Sequence, residues 1–155
     1  MFDMQSWIYR LANVVGKTQT HGVGFGFIKK LKNNPKQLMI LGDGSQSKSY
    51  IHVSDVINLM LFTIKTLNEI VNVYNVATDD YITVNEIANI VVKEMELKDV
   101  LFEYTGGKRG WKGDVPVVRF NLVKIHNLGW KVKYSSIEAV RKSIKEMLEL
   151  QKANR

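Results

Sequence analysis

Two glycine-containing segments would suit phosphate binding if their surroundings fitted. Gly16-Lys17-Thr18 resembles the end of a P-loop, in which backbone amides surround the phosphates and the lysine reaches them. That pattern requires a glycine at position 11, where Leu11 stands. Residues 22–26 (Gly-Val-Gly-Phe-Gly) suggest a dinucleotide-binding turn, but Phe27 occupies the place of its third glycine. The sequence therefore predicts neither motif.

Other side chains suited to catalysis or metal binding also lack the right spacing. Tyr104 and Lys108 would have to lie one helical turn apart to reach a single substrate oxygen, but two consecutive glycines between them disfavour a helix. The paired Asp79 and Asp80 are more typical of a turn than of catalytic carboxylates. The histidines are far apart in sequence and have no carboxylate at close spacing: His21, His52 and His126. We predict no catalytic residue and no metal site in this chain.

Composition limits the class of protein. The 155 residues are 45% hydrophobic and 24% charged, which predicts one globular unit and excludes wholesale disorder. There is no cysteine, so disulfides and thiolate metal sites are excluded. No segment has the pattern of a signal peptide or a membrane span, and we expect a cytoplasmic protein with no membrane partner. The net charge of +7 favours an anionic partner, but the basic residues are scattered, so we do not expect nucleic acid as a ligand.

The first half of the chain alternates predicted strands and helices. We expect a buried strand over residues 7–16, then a loop, and then a helix from Phe25 that stops at residues 33–35. Residues 38–56 predict a strand, a tight turn at 42–45, a short strand and a helix capped by Ser54. The helix over 56–67 is apolar on more than one side and should be covered on more than one face.

The second half continues this alternation. Strands are expected at 71–76 and 100–104, a glycine-rich basic loop at 105–114, and a short helix at 122–128 that Gly129 ends. Capping boxes predict two further helices. One box pairs Thr83 with Glu86, and the other pairs Ser135 with Glu138. For the last helix we expect a core face made of Ile137, Val140, Ile144, Met147 and Leu148. The fold class is therefore α/β.

Residues 38–56 resemble a family signature. The sequence from Gly42 to Asp55 is similar to the G-D-G-S/T-Q-x-R-x-[YF]-[IL]-[HY]-V-x-D segment of the NAD-dependent epimerases and dehydratases, the extended short-chain dehydrogenases. Further matches follow in the family's order along nearly the whole chain. They are R-x-x-N-V-x-G at 10–16, Y-N-V-A at 74–77, T-V-x-E-I-A at 83–88, G-D-V at 113–115 and L-G-W at 128–130.

The resemblance implies a nucleotide-sugar site. It places Asn13 near the sugar-phosphate, the amides of Gly22 and Val23 near the diphosphate, and the backbone of Leu41 beside the base. Further substrate-binding residues implied are Lys48 and Tyr50 at the phosphate-binding arginine position and two residues after it, Asp114 at the ribose, Trp111 where many members have a second arginine, and Arg109 or Lys112 as sources of that charge. Lysine at 48 keeps the charge of arginine but loses its bidentate fork.

The resemblance also implies the function. Residues 1–155 are similar to the C-terminal substrate domain of an extended short-chain dehydrogenase, with the last strands and a helix of a Rossmann-type sheet that the chain otherwise lacks. The family holds NAD in an N-terminal half, and we expect this half to be absent, so that the chain alone holds no cofactor. The expected function is the UDP-sugar-binding part of an epimerase of the UDP-glucose 4-epimerase kind that does not turn over alone.

Two alternatives are a non-catalytic module that associates with a cofactor-binding chain, and a fragment of a sugar-nucleotide dehydratase or reductase. Uncovered apolar surface would favour a homo-oligomer or a poorly stable chain.

Overall fold

The structure, a computed structural model, describes residues 4–153 as a mixed α/β fold. The strands are β1 (Ser6–Leu11), β2 (Asn13–Val15), β3 (Gln37–Ile40), β4 (Ser47–Lys48), β5 (Tyr50–His52), β6 (Val71–Val76), β7 (Ile82–Thr83) and β8 (Leu101–Tyr104). The helices are α1 (Val23–Asn33), α2 (Val53–Thr66), α3 (Val84–Glu94), α4 (Val123–His126) and α5 (Ser136–Ala153). This order confirms the predicted alternation of strands and helices.

The strands form four two-stranded sheets. β1 pairs with β6, β2 with β5 and β3 with β8, all in parallel, while β4 and β7 are antiparallel. Parallel strands need a crossover connection, and each of the three parallel pairs is joined through helices of this chain.

Two apolar cores hold these layers together. The first lies among α1, α3, α5 and β3 and includes Leu31, Ile40 and Ile144. The second lies beneath α2 and α4, against β5 and β6, and includes Ile51 and Leu59. Helix α1 packs on the first core through Phe27, Ile28 and Leu31. The first core therefore supports the side of the cavity described below that α1 forms.

The predicted strand over residues 7–16 is wrong as one element. At Ala12 the chain changes partner: the Ala12 amide donates to the Val76 carbonyl at 2.8 Å, whereas the Asn13 amide donates to the Ser49 carbonyl at 3.3 Å. The segment is therefore two strands, β1 and β2, in two different sheets. A continuous apolar run does not reveal such a change, because both halves are equally suited to a buried strand.

Helix starts also differ from the predictions. Helix α1 begins at Val23, two residues before Phe25. Gly22 has a φ of 92°, which is not a helical conformation, so the helix cannot extend further towards the N-terminus. Helix α2 begins at Val53 and is capped by His52, whose side chain accepts a hydrogen bond from the Ser54 amide, so Ser54 is not the cap. The two capping boxes are confirmed, since Thr83–Glu86 and Ser135–Glu138 exchange side-chain and backbone hydrogen bonds.

One residue of the predicted core face of α5 is wrong. Ile137 is 37% exposed, because the buried positions at the start of this helix are Ser136 and Ala139. Val140, Ile144 and Met147 are buried as predicted, and Leu148 packs partly against the same core. The pair β4–β7 was not predicted, since two-residue strands carry no periodicity. The predicted short strand between the turn at 42–45 and the following helix is β5.

Helix α2 exposes an apolar strip. Ile57, Leu61 and Ile64 are about half exposed and Val53 lies on the same face, while Val56 and Leu59 are buried on the other face. Strand β1 has one partner, β6, among residues 4–153, so its second edge is open there. The prediction that this helix is covered on more than one face is not met among residues 4–153, where the strip of α2 and one edge of β1 are uncovered.

Candidate functional site

A cavity of about 460 Å³ lies against one face of α1. Helix α1 lines it with Val23, Gly26, Phe27 and Lys30, which have the i, i+3, i+4, i+7 spacing of one helical face. A Cβ atom added at Gly26 would meet no atom within 4 Å, so this glycine leaves the centre of the wall open. The wall runs about 10 Å along the helix, from its N-terminus to Lys30.

The facing walls come from strands and loops that the fold brings together. Asn13 and Tyr50 lie on the neighbouring strands β2 and β5, where they are register partners. Leu41 and Gln46 flank the glycine turn after β3, and Val84 begins α3. The loop after β8 closes the cavity with Gly110, Trp111 and Asp114.

An ion pair joins two of these walls. The Lys48 Nζ atom lies 2.6 Å from Asp114 Oδ1, and the second carboxylate oxygen of Asp114 accepts a hydrogen bond from the Gly110 amide at 3.1 Å. Burial alone would raise the pKa of the Asp114 carboxyl, but the Lys48 ammonium and the Gly110 amide together hold the pKa of this carboxyl below its ordinary value. Asp114 is therefore an anion that Lys48 and Gly110 hold in place.

Tyr50 supplies a neutral hydroxyl to the same cavity. Burial, followed by the nearby charge of Asp114, raises the pKa of the Tyr50 phenol to about 12. The Tyr50 amide donates to Ser136 Oγ at 3.0 Å, which fixes this strand against the start of α5. A phenol with this pKa donates or accepts hydrogen bonds at neutral pH and does not act as a base.

The N-terminus of α1 opens into the cavity without a capping side chain. Gly22 is the N-cap residue and forms no side-chain cap hydrogen bond. The first amides of a helix have no partner within the helix and carry the positive end of its dipole. Gly22 and Val23 both line the cavity, so this end of it suits an anionic group.

Lys30 and Gln46 make specific contacts at the other walls. The Lys30 Nζ atom donates to the Met39 carbonyl at 2.7 Å, which holds the end of this side chain beside β3. The Gln46 Nε2 atom donates to the Leu41 carbonyl at 3.2 Å. Gln46 is 3% exposed, and its Oε1 atom has no hydrogen-bond partner among residues 4–153.

The structure brings together eight of the ten predicted site residues. These eight are Asn13, Gly22, Val23, Leu41, Lys48, Tyr50, Trp111 and Asp114. Arg109 and Lys112 do not line the cavity and are exposed on the loop that closes it. The residues not foreseen are Gly26, Phe27, Lys30, Gln46, Val84 and Gly110. Gly26, Phe27 and Lys30 follow Val23 at helical spacing. Once Val23 is placed at the site, this spacing predicts that the other three lie on the same helical face.

Neither of the two sequence motifs weighed for dinucleotide binding and catalysis has the required geometry among the described residues. Phe27, at the position of the third glycine, is buried in the core, so the Gly22–Gly26 segment does not fit NAD. Tyr104 ends β8, and Gly106 and Gly107 have positive φ, so Tyr104 and Lys108 do not share a helical turn. Residues 4–153 contain no cluster of three His, Asp or Glu side chains suited to a metal ion. None of the helices described is long and apolar enough to cross a membrane.

Two curated proteins match most of this sequence. A putative UDP-glucose 4-epimerase from Methanocaldococcus jannaschii is 27% identical over 152 residues, which cover 95% of this chain and 47% of that protein. The dTDP-D-glucose 4,6-dehydratase of Mus musculus is 30% identical over 142 residues, covering 88% of this chain and 39% of that protein. The chain thus spans less than half the length of these two relatives.

Solved structures give the same result for the fold. A crystal structure of UDP-galactose 4-epimerase superposes with a TM-score of 0.80 at 29% identity, covering 94% of this chain and 46% of that one. The UDP-glucose 4-epimerase of Thermotoga maritima with UDP-glucose superposes with a TM-score of 0.75 at 24% identity, covering 92% and 46%.

Fold and cavity define an α/β chain that corresponds to about half of an extended short-chain dehydrogenase. The sequence model of the NAD dependent epimerase/dehydratase family matches residues 1–77 of this chain. The chain belongs to this family, and the resemblance found in the sequence is confirmed.

Proposed function

We propose that this chain is the nucleotide-sugar-binding half of an NAD-dependent sugar epimerase of the UDP-glucose 4-epimerase kind. The observation that carries this proposal is the cavity in which the uncapped N-terminus of α1 and the Lys48–Asp114 pair lie in one enclosure. A nucleoside diphosphate combines an anion with a hydroxyl-rich ribose, and these walls offer amide and cationic donors next to a carboxylate.

In this proposal the diphosphate binds between Lys48 and the amides of Gly22 and Val23. An ammonium group has three hydrogens, so Lys48 can donate to a phosphate oxygen while it remains paired with Asp114. The backbone of Leu41 addresses the base and Asp114 the ribose. Exposed Arg109 and Lys112 add positive charge at the mouth of the cavity, where they attract an anionic ligand at long range.

The sugar would lie near Asn13, Tyr50 and Trp111. Asn13 donates through Nδ2 to the Ser49 carbonyl at 3.2 Å, which leaves its Oδ1 atom to accept from a sugar hydroxyl. Tyr50 remains a neutral donor beside it because its pKa is about 12. Trp111 is largely exposed and offers an apolar face at the cavity mouth.

Turnover would need residues that the described cavity does not provide. In this family NAD carries the hydride, and neither the glycine motif at 22–26 nor the Tyr104–Lys108 pair has the geometry that NAD chemistry needs. We therefore propose that residues 1–155 act as one substrate-binding unit that depends on a separate cofactor-binding half for epimerisation. Dehydration or reduction of a sugar nucleotide is the alternative reaction, since one relative is a dehydratase.

The apolar strip of α2 favours a second candidate function. A strip formed by Val53, Ile57, Leu61 and Ile64, together with the open edge of β1, is suited to packing against another parallel sheet. In this alternative the chain is a non-catalytic module that associates with a cofactor-binding chain. Recovery of NAD with a co-purified partner from native extract would support this alternative.

Calorimetric titration tests the proposed function. UDP and UDP-glucose should both release or absorb heat on binding, and Lys48→Met should weaken binding by about 10- to 100-fold, because a charge-assisted hydrogen bond is lost. Lys29→Met is the matched control, since Lys29 lies exposed on α1 outside the cavity and its loss should leave the affinity within about twofold. Absence of heat with both ligands at millimolar concentration would contradict the proposal.

A further inference from the structure

We infer that Thr78 is a positioning residue, whose buried hydroxyl group holds the strand segment that presents Lys48 and Tyr50 to the cavity. This inference rests on the proposed function, because its consequence is measured as affinity for the same ligand. Thr78 does not line the cavity, so it acts on a ligand only through other residues.

The chain changes sheet between the two cavity residues. Lys48 ends β4, which is antiparallel to β7, and Tyr50 begins β5, which is parallel to β2. Ser49 stands between them. Side chains alternate along an extended chain, so Ser49 points away from the cavity that its two neighbours line, and it is 1% exposed. Because no single sheet continues through this junction, its position depends on what holds Ser49.

Three buried hydroxyl groups meet behind this junction. Thr78 Oγ1 lies 2.7 Å from Ser49 Oγ and 2.6 Å from Ser136 Oγ. The Thr78 amide donates to Ser49 Oγ at 2.9 Å, and Ser136 Oγ donates to the Asp80 carbonyl at 3.1 Å. All three hydroxyls are satisfied when the hydrogens run in one direction, from Ser49 through Thr78 to Ser136 and then to this carbonyl. Thr78 is the central member, because it contacts both of the other hydroxyls.

The same hydroxyls hold the backbone that carries the cavity residues. The Tyr50 amide donates to Ser136 Oγ at 3.0 Å. The Ser49 carbonyl accepts from the amide of Asn13 at 3.3 Å and from its Nδ2 atom at 3.2 Å, so a third cavity residue depends on the place of Ser49. Loss of the Thr78 hydroxyl would remove the link between Ser49 and Ser136 and let this backbone shift. A binding group has to be held within about 0.5 Å of its productive position, so such a shift should weaken ligand binding.

The test measures UDP affinity by calorimetry on the full chain, at a temperature at which each variant is folded. Thr78→Val keeps the branched shape of the side chain and removes the hydroxyl, and it should weaken UDP binding by about tenfold. Thr78→Ser keeps the hydroxyl and should bind UDP within about twofold of the wild type.

Thr63→Val is the matched control. Thr63 is also fully buried, its hydroxyl is bonded to the Tyr9 hydroxyl and to the Leu59 carbonyl, and it does not line the cavity. Thr63→Val should therefore lower the melting temperature but leave the UDP affinity unchanged.

A spectroscopic measurement without ligand separates positioning from a general loss of stability. In the ¹⁵N-labelled chain, Thr78→Val should shift the backbone amide resonances of Tyr50 and Asn13, because these amides donate to Ser136 and to Ser49. Thr63→Val should leave both resonances in place. Unchanged Tyr50 and Asn13 resonances in folded Thr78→Val would overturn the inference.

The affinities can overturn the inference as well. Equal UDP affinities of folded Thr78→Val and the wild type would do so, and so would a Thr78→Ser variant that binds as weakly as Thr78→Val. Where Thr78→Val does not fold, Ser49→Ala decides, since it removes the other end of the same bond and should weaken UDP binding by about tenfold. An unchanged affinity of Ser49→Ala would then overturn the inference. Absence of UDP binding by the wild type would overturn the proposed function, and with it the affinity that Thr78 is inferred to support.

Discussion

Lys48 and Asp114, which are 66 residues apart in the sequence, form an ion pair of 2.6 Å that connects β4 with the loop after β8. Both residues line the cavity, so this contact joins two parts of its wall. It joins the two charged residues that the family resemblance implies for phosphate and ribose binding, so either of them should affect both the stability of the loop and the affinity for a ligand.

The pair makes stability depend on pH. The pKa of the Asp114 carboxyl is held below its ordinary value of 3.8 in the folded chain, so its contribution is present above that value and is lost as the pH falls through the lower, folded-state pKa. Thermal unfolding should show Asp114→Asn to be less stable than the wild type at neutral pH. The difference in melting temperature should shrink as the pH falls from about 6 to about 3. A difference that does not vary with pH would contradict this role.

A substitution of Gly26 should lower the affinity for a ligand without lowering the stability of the chain. Glycine inside a helix is less stable than alanine by about 1 kcal/mol, and there is open space where a side chain would be built. Gly26→Leu should therefore fold with equal or higher stability but fill the cavity and reduce UDP affinity by at least about tenfold.

Gly24→Ala is the control for this variant, since its methyl group would face Ile144 at 3.8 Å, an ordinary contact in the core. It should gain stability without losing affinity. Equal affinities of Gly26→Leu and the wild type would place the ligand elsewhere.

His52 should act as a helix cap. Because its Nδ1 atom accepts from the Ser54 amide at 3.3 Å, Nε2 carries the hydrogen and donates to Glu146 Oε2 at 3.1 Å, which ties the start of α2 to α5. His52→Ala should lower the free energy of unfolding by about 1–3 kcal/mol, measured by urea denaturation.

Asparagine can accept from the Ser54 amide as a cap but is too short to reach Glu146. His52→Asn should therefore be about 1 kcal/mol more stable than His52→Ala, because it retains the capping hydrogen bond. Equal stability of the two variants would show that the capping hydrogen bond does not contribute to the stability of the chain.

The apolar strip of α2 should cause self-association of the isolated chain. Sedimentation velocity should show a larger species as concentration rises, and Leu61→Glu should abolish it, because a charge in the centre of the strip prevents apolar contact. Asn58→Glu adds the same charge at an exposed position of α2 beside the strip and should have a smaller effect. A wild-type chain that is monomeric at all concentrations and melts cooperatively would be incompatible with this prediction.

Much of the fold could be predicted because its signals are local. The boxes Thr83–Glu86 and Ser135–Glu138 start two helices by contacts between residues three apart, and local spacing is visible in a sequence. The change of strand partner at Ala12 depends on Val76 and Ser49, which are 64 and 37 positions further along the chain. No periodicity in residues 7–16 contains that information.

The candidate site was predicted only in part, because contacts between residues far apart in the chain are not visible in the sequence. Family motifs mark Lys48 and Asp114, but not that the two form an ion pair, which depends on how the loop after β8 folds back. Gln46 lies inside the same motif, but its place in the cavity wall depends on burial, which is not visible in the sequence. Lys30 is one of several lysines between residues 29 and 36, and its contact with the Met39 carbonyl of β3 is not visible in the sequence.

The most direct test of the central claim is a titration of the ¹⁵N-labelled chain with UDP, followed through its backbone amide resonances. We predict the largest shifts at Gly22, Val23, Leu41 and Gly110, whose backbones line the cavity around the Lys48–Asp114 pair. Shifts confined to the basic segment 29–36 or to the apolar face of α2, or the absence of any shift at millimolar UDP, would contradict the assignment of this cavity as a nucleotide-sugar site.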